Sequence, residues 1–424
     1  MTSTKQEPDI KFIHVADTHL GLNWPPIGRQ DRIQIPVYGR VFASIVDAAL
    51  EHHVDFVVHG GDLVDRPRPS TAAWNRLLEQ LPRLQDAKIP FIVTPGSHDR
   101  PESYFDKAGG DVLEVLEKRV GLVKRVDVDR EPIFNFDTKS GKKVTVYGLG
   151  DHGSEQEELL QTLWAKMTTR SDFNILLMHG SSSNMPNLTG PTVKADTISD
   201  LLSRGFVDYV ALGHNHKRWE HRDLQIYNPG SPEYTSFSDA PTIAYEWNGA
   251  TVEEKSRDSL ERGYYLVEIA GEIINANFQP LPARDVRNIE IRFNEATSSQ
   301  VSEATKAAVD ENASVSAIVR PILKGTLHPS TSRTDIDVRE ILSLRDKFLY
   351  LDYPLMNFSG TENELQAAEG ADIEQLLKQY FTSRTEKPEE ATNIARRLLR
   401  IYSNRTRTSH QEALSAIDEW KPND

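Results

Sequence analysis

"VDFVVHGGD", residues 54–62, is an apolar run that stops at two glycines and a carboxylate. Phe56, Val57 and Val58 are aromatic and β-branched side chains that suit a buried strand. Upstream, "IKFIHVAD" (10–17) reads as another buried strand. Between the two, "VFASIVDAALEHH" (41–53) puts Val41, Phe42, Ile45, Val46 and Ala49 on one helical stripe. Downstream, "TAAWNRLLEQLPRLQ" (71–85) predicts a helix and "IPFIVTPGSHD" (89–99) a third strand. Strand–helix–strand units at this spacing indicate a layered α/β domain. Later strands are "KKVTVYGLG" (142–150), "FNILLMHG" (173–180), "VDYVALGHNH" (207–216) and "LQIYNPGS" (224–231). Several run directly into Asp, His or Gly at their C-terminal ends, where open α/β sheets bind ligands.

Beyond residue 242 the texture changes. "TIAYEW", "GYYLVEIA" and "IINANFQP" are expected to complete a second sheet, and "PLPARDVR" (280–287) reads as a linker. "NIEIRF", the helix "SSQVSEATKAAVDE" and "VSAIVRPILKGTL" then predict a small α+β unit. The last part is helical in pattern: Ile373, Leu376, Leu377, Tyr380 and Phe381 form one stripe, and Ile394, Leu398, Ile401 and Tyr402 a second. The expected division is 1–281, 282–357 and 358–424.

Composition narrows the chemistry. With no cysteine in 424 residues, disulfides and thiolate metal sites are excluded. Any metal must rest on imidazole, carboxylate and neutral oxygen, a set that suits manganese, magnesium, iron or zinc. A net charge of −14 weighs against a general nucleic-acid binder, although metal ions in a carboxylate-rich cleft invert the local sign. No apolar run reaches the roughly 20 residues of a membrane span. The polar opening stretch lacks the pattern of a signal peptide, so the expected location is cytoplasmic.

Five short sequences recur at strand ends: Asp17-Thr-His19, Gly61-Asp62, Gly96-Ser97-His98-Asp99, Met178-His179 and Gly213-His214-Asn215-His216. Any one of them is weak, but the five in this order form a strong joint signal. Two divalent ions about 3.5–4 Å apart need several protein donors and a shared carboxylate. Asp62 is the natural bridge, because its two oxygens can serve one ion each.

This order resembles the calcineurin-like metallophosphoesterase superfamily. "HVADTHLG", "GGDLVDRPRPS", "GSHD", "LMHG", "LGHNH" and "NPGSPEYTSF" resemble, within it, the double-strand-break repair nucleases of the SbcD and meiotic-recombination type. The resemblance implies an α/β fold: a two-sheet α/β/β/α core, a small α+β cap that binds DNA, and a helical C-terminal region. It also implies that Asp17, His19, Asp62 and His216 hold one ion and that Asp62, His179 and His214 hold the other. Ser97 stands at a ligand position usually taken by asparagine. His98 would be the catalytic histidine. Independently of the resemblance, the adjacent Asp99 is expected to orient the His98 ring, as carboxylates often do for histidines. The implied cofactors are two manganese ions. The implied partners are DNA, a second copy of the chain, and an SMC-like (SbcC-type) ATPase bound through the C-terminal helices near the chromosome. The implied activity is exonuclease action on duplex ends and endonuclease action on single strands.

Other readings stay open. The same fold serves phosphatases and nucleotide phosphodiesterases, and Ser97 is compatible with a DNA-end scaffold whose second metal site is degenerate. Arg66 and Arg68 are either DNA-phosphate contacts or, with Asp65, a loop salt-bridge set. His14 and His59 read as packing residues. Asn228 and Ser231 are candidates for supporting the site. The arginines at 396, 397, 400, 405 and 407 form either a solvated helix face or a contact surface.

Overall fold

The computed structural model describes residues 8–22, 24, 36–101, 111–167, 170–186, 188 and 190–359. The stripes at 373–381 and 394–402 and the basic cluster after them lie outside the described residues.

Two six-stranded sheets form the centre. The first runs in the order Ile273–Pro280, Gly263–Ala270, Ile10–Val15, Phe56–His59, Phe91–Val93, Val123–Arg125. Its last four strands are parallel, and Gly263–Ala270 joins Ile10–Val15 antiparallel. The second runs Trp219–His221, Ile226–Asn228, Tyr209–Gly213, Phe173–His179, Lys143–Leu149, Ile133–Asp137, with its four inner strands parallel.

These strands are apolar on both faces, and the two-residue alternation sorts their side chains between different cores. Phe12, Phe56, Val58 and Ile92 turn inward and meet Val146, Ile175, Leu177 and Tyr209 of the opposite sheet. Phe12 stacks on Phe56 with centroids 4.8 Å apart and meets Tyr209 edge-on at 5.3 Å. Ile13, Val15, Val57 and Val93 turn outward against the helices Pro36–Glu51, Thr71–Asp86 and Val112–Arg119, where the stripe Val41, Phe42, Ile45, Val46 and Ala49 is buried. On the far side, Leu176, Met178, Val210 and Leu212 pack against the helices Gln156–Trp164 and Ala195–Ser203. The layers are helix, sheet, sheet, helix, as expected. His14 is a packing residue that ties the sheets together, with ring nitrogens 3.0 Å from the Tyr209 hydroxyl and 3.0 Å from the Leu212 carbonyl.

A third sheet lies outside this sandwich. Asp285–Ala296 and Ala317–Leu327 pair in parallel, and Tyr350–Leu351 and Leu355–Ser359 both pair with Ala317–Leu327. The helix Ser298–Glu311 packs on this sheet and begins with a capping box between Thr297 and Gln300. One expectation needs correction here. Residues 242–257 do not complete a core sheet. Thr242–Trp247 pairs in parallel with Asp285–Ala296, and Val252–Arg257 forms the outer edge beside it. The reason is polarity: "VEEKSR" is almost wholly exposed and fits only an edge strand, whereas Ile243 and Tyr245 bury in the third sheet's own core. The sheet boundary therefore does not coincide with the expected division at 281/282.

Among the described residues the chain thus passes between the core and the third sheet at 229–241, 258–262 and 281–284. Two arginines lie at these crossings. Arg262 donates to the carbonyls of His216, Asp239 and Ser231. Arg284 donates to the Trp24 carbonyl at 2.7 Å and the Tyr234 carbonyl at 2.9 Å.

Candidate metal centre

The parallel strands of both core sheets end at one edge. The loops that follow Val15, His59 and Val93 on one side, and His179 and Gly213 on the other, converge there. Four of the residues they deliver are non-glycine residues with left-handed backbone: Asp17 (φ 52°), His19 (41°), Asp62 (53°) and His214 (86°). Each such conformation costs about 1 kcal/mol or more and persists only where its surroundings impose it. The hydrogen bonds that impose it are specific. Asp17 takes the His214 amide on both carboxylate oxygens at 3.0 Å. Its carbonyl accepts from the Ser231 hydroxyl at 2.8 Å. Asn228 donates to the carbonyls of Asn215 and Lys217 at 2.8 and 2.9 Å, bracing the His214–His216 turn.

Close approach explains the glycines. A Cβ on Gly61, itself at φ +93°, would stand 2.4 Å from Nδ1 of His179, and one on Gly96 would stand 2.0 Å from Oδ1 of Asp62.

Three rings are oriented by one device, an acceptor at Nδ1 that leaves Nε2 as a lone pair. His179 Nδ1 donates to the Gly60 carbonyl at 2.7 Å. His216 Nδ1 faces the Asp239 carboxylate at 3.1 Å and the Thr235 hydroxyl at 2.7 Å. His98 Nδ1 donates to the Asp65 carbonyl at 2.6 Å. The Nε2 of His179 is fully buried without a hydrogen-bond partner. His19 Nε2 and His216 Nε2 stand 3.1 Å apart, the spacing of neighbouring donors on one ion with bonds near 2.1 Å. Asp62 lies between the two groups, with Oδ2 3.8 Å from His19 Nε2 and 3.5 Å from His179 Nε2. Four sets present donor atoms within 4.8 Å of one another: Asp17, His19 and His216; His19, Asp62 and His98; Asp17, Asp62 and His179; and Asp151, His179 and His214. A buried, unsatisfied imidazole and converging nitrogen and carboxylate donors fit a pair of divalent ions.

The electrostatics differ from ring to ring. Burial lowers the proton affinity of His179 and His216, but Asp62 and Asp17 beside the first, and Asp239 and Asp17 beside the second, outweigh it and hold both above the ordinary imidazole value. Burial opposes the charge on Asp62, but His179, His19 and His98 outweigh it and hold its pKa below the ordinary value. Burial pushes the His19 ring down to about 3, keeping it a neutral donor.

Not every expected residue stands where its role requires. Asp99 does not orient His98. Its buried carboxylate accepts the amides of Gly96, Val64 and Leu63 at 2.9, 3.1 and 3.3 Å, bracing the turn from beneath. Burial and the Asp62 charge push this carboxyl up to about 7, against the pull of those amides. The His98 ring is exposed and rests on Asp65 instead. Ser97 is exposed beside it. Arg66 and Arg68 are exposed on the loop after Asp62, with Arg66 3.3 Å from the Asp65 carboxylate. The sequence reading passed over Asp239, Thr235 and Asp151. Asp151 carried a usable signal, because it follows an apolar run and Gly150 just as Asp62 follows Gly61.

A family profile described as calcineurin-like phosphoesterase matches residues 10–218, the span that contains every donor in these sets. Residues 10–218 are a calcineurin-like metallophosphoesterase domain. Similarity extends well past this phosphoesterase domain. The DNA double-strand break repair protein Mre11 of Saccharolobus solfataricus is 24% identical over 401 residues, covering 92% of this chain and 94% of that protein. The protein of the same name from Sulfurisphaera tokodaii is 29% identical over 255 residues, 58% of this chain and 60% of its own length. An uncharacterized metallophosphoesterase, YhaO of Bacillus subtilis, is 28% identical over 280 residues, 64% of this chain and 60% of its own. Among the described residues, no helix is long and apolar enough to cross a membrane.

Proposed function

We propose that the protein is a metal-dependent DNA nuclease of double-strand-break repair. The observation that carries this reading is the extent of the similarity. The phosphoesterase family match ends at residue 218, but the likeness to an archaeal DNA repair protein covers 92% of the chain. In this reading Asp17, His19, Asp62 and His216 hold one ion, and Asp62, His179 and His214 hold the second with Ser97 beside it. Bound manganese ions supply Lewis-acid polarisation of the phosphate and acidification of a water nucleophile.

The remaining chemistry belongs to the chain. Water attacks phosphorus and the bond to the leaving sugar oxygen breaks. His98 is exposed and fixed at Nδ1 by the Asp65 carbonyl, which leaves Nε2 free to take up a proton from solvent; in that doubly protonated form the ring delivers from Nε2 the proton that this oxygen needs. Arg66 and Arg68 contact DNA phosphates at the rim. Exonuclease action on duplex ends, endonuclease action on single strands, a homodimer, an SMC-like ATPase bound through the C-terminal helices, and work at the chromosome complete the reading.

The test compares cleavage of linear duplex and single-stranded DNA with hydrolysis of a nucleotide panel, in manganese, magnesium and chelator. Manganese-dependent DNA cleavage is expected, and His98→Ala should lower its rate by about 10²–10⁴-fold without weakening manganese binding. Nucleotide hydrolysis with no cleavage of DNA would reject the proposal.

A further inference from the structure

The half of the centre around His179 has an oxygen donor that the five strand-end sequences do not include. Lys143–Leu149 runs parallel to Phe173–His179, with Leu149 opposite Met178. Its C-terminal end therefore delivers the next residues beside His179. Two residues past that end, Asp151 places a carboxylate oxygen within 4.8 Å of ring nitrogens of both His179 and His214. Its backbone is fixed, since the Asp151 amide donates to the Pro95 carbonyl at 2.9 Å. That bond ties the Asp151 turn to the loop that carries Ser97. The carboxylate is also steadied, with Oδ1 accepting the Gly153 amide at 2.9 Å.

A second observation points to a ligand in the same place. The Nε2 of His179 is wholly buried, has its tautomer set by the Gly60 carbonyl, and has no hydrogen-bond partner. A bare imidazole lone pair in the interior is costly unless something electrophilic meets it. Asp62, 3.5 Å away, accepts hydrogen bonds and cannot donate one while ionised. Two nitrogens and a fixed carboxylate around such a lone pair form a hard-to-borderline donor set suited to manganese or a similar divalent ion.

We infer that Asp151 is a direct ligand of the second ion and supplies the protein oxygen that the short, exposed side chain of Ser97 is poorly placed to give. The inference rests on the two-ion reading of the site and extends it. An anionic oxygen replaces a neutral one, so the second position gains a negative charge and a stronger preference for a divalent cation. Ser97 then has a lesser part, through its hydroxyl or a bridging water.

The experiment measures manganese binding directly, by isothermal titration and by electron paramagnetic resonance of the full-length protein without DNA. Wild type should bind two ions. Asp151→Ala should keep the tighter ion and bind the other at least tenfold more weakly, and Asp151→Asn should fall between them. Ser97→Ala should shift the weaker site by less than threefold. Adding Ser97→Asn to Asp151→Ala should restore part of the lost affinity. Circular dichroism of Asp151→Asn controls for folding, and the backbone bond to Pro95 survives any change of side chain. Two full-affinity ions in Asp151→Ala would overturn the inference while leaving the two-ion reading intact. A wild-type protein that binds no pair of ions would remove both.

Discussion

The two halves of the metal centre are held by different means. In the half formed by Asp17, His19 and His216, every donor sits on a loop, and neighbours hold each in place. Asp239 and Thr235 stand behind His216, Ser231 holds the Asp17 carbonyl, and Asn228 braces the turn. The other half centres on His179, which ends a strand and needs only the Gly60 carbonyl to orient its ring. The oxygens proposed for it are more exposed, with Asp151 half-buried and Ser97 open to solvent. One half is rigid because many groups converge on it. The other is rigid at its nitrogen and looser at its oxygens. The first ion should therefore bind more tightly than the second.

The most severe way to break this comparison is at the shared carboxylate. Asp62→Ala should remove both ions together and lower phosphodiester cleavage by more than about 10³-fold, beyond the 10²–10³ typical of losing one charge-stabilising donor. Titration with manganese checks this: retention of one tight ion would mean that the halves are independent. A smaller effect is expected from Asp239→Ala. It should weaken the tighter ion by about 10–100-fold, the usual cost of removing a group that orients a metal-binding histidine, and leave the weaker one nearly unchanged. Equal losses at both ions would erase the difference between the halves. The smallest effect belongs to Ser97→Asn, which should tighten the weaker ion by about threefold, or ~0.6 kcal/mol. An unchanged isotherm would make Ser97 a turn residue only.

Much of this was legible in the sequence because the signal repeats. Asp17, His19, Asp62, His98, His179, His214 and His216 all follow apolar runs, and parallel strands that end at one edge must bring such residues together. What supports them was not legible. Asp239 acts on His216 from 23 positions away with no periodicity to announce it. The neighbour Asp99 looked like the partner of His98, but adjacent side chains in a turn diverge. The actual partner is a backbone carbonyl of Asp65, which carries no trace of residue type. The strand 242–247 was assigned to the wrong sheet because alternation identifies a strand and not its neighbour. The polarity of "VEEKSR" was the clue to its place at an edge.

The three passages of chain that join the core and the third sheet among the described residues have a mechanical consequence. A lobe joined at one point can swing like a door, whereas this one is bolted at three. Arg262, at one of those bolts, holds the carbonyls of His216 and Asp239. A displacement of the outer lobe would therefore be felt first at the backbone of His216 and Asp239, the two residues whose side chains face each other at the edge of the candidate centre.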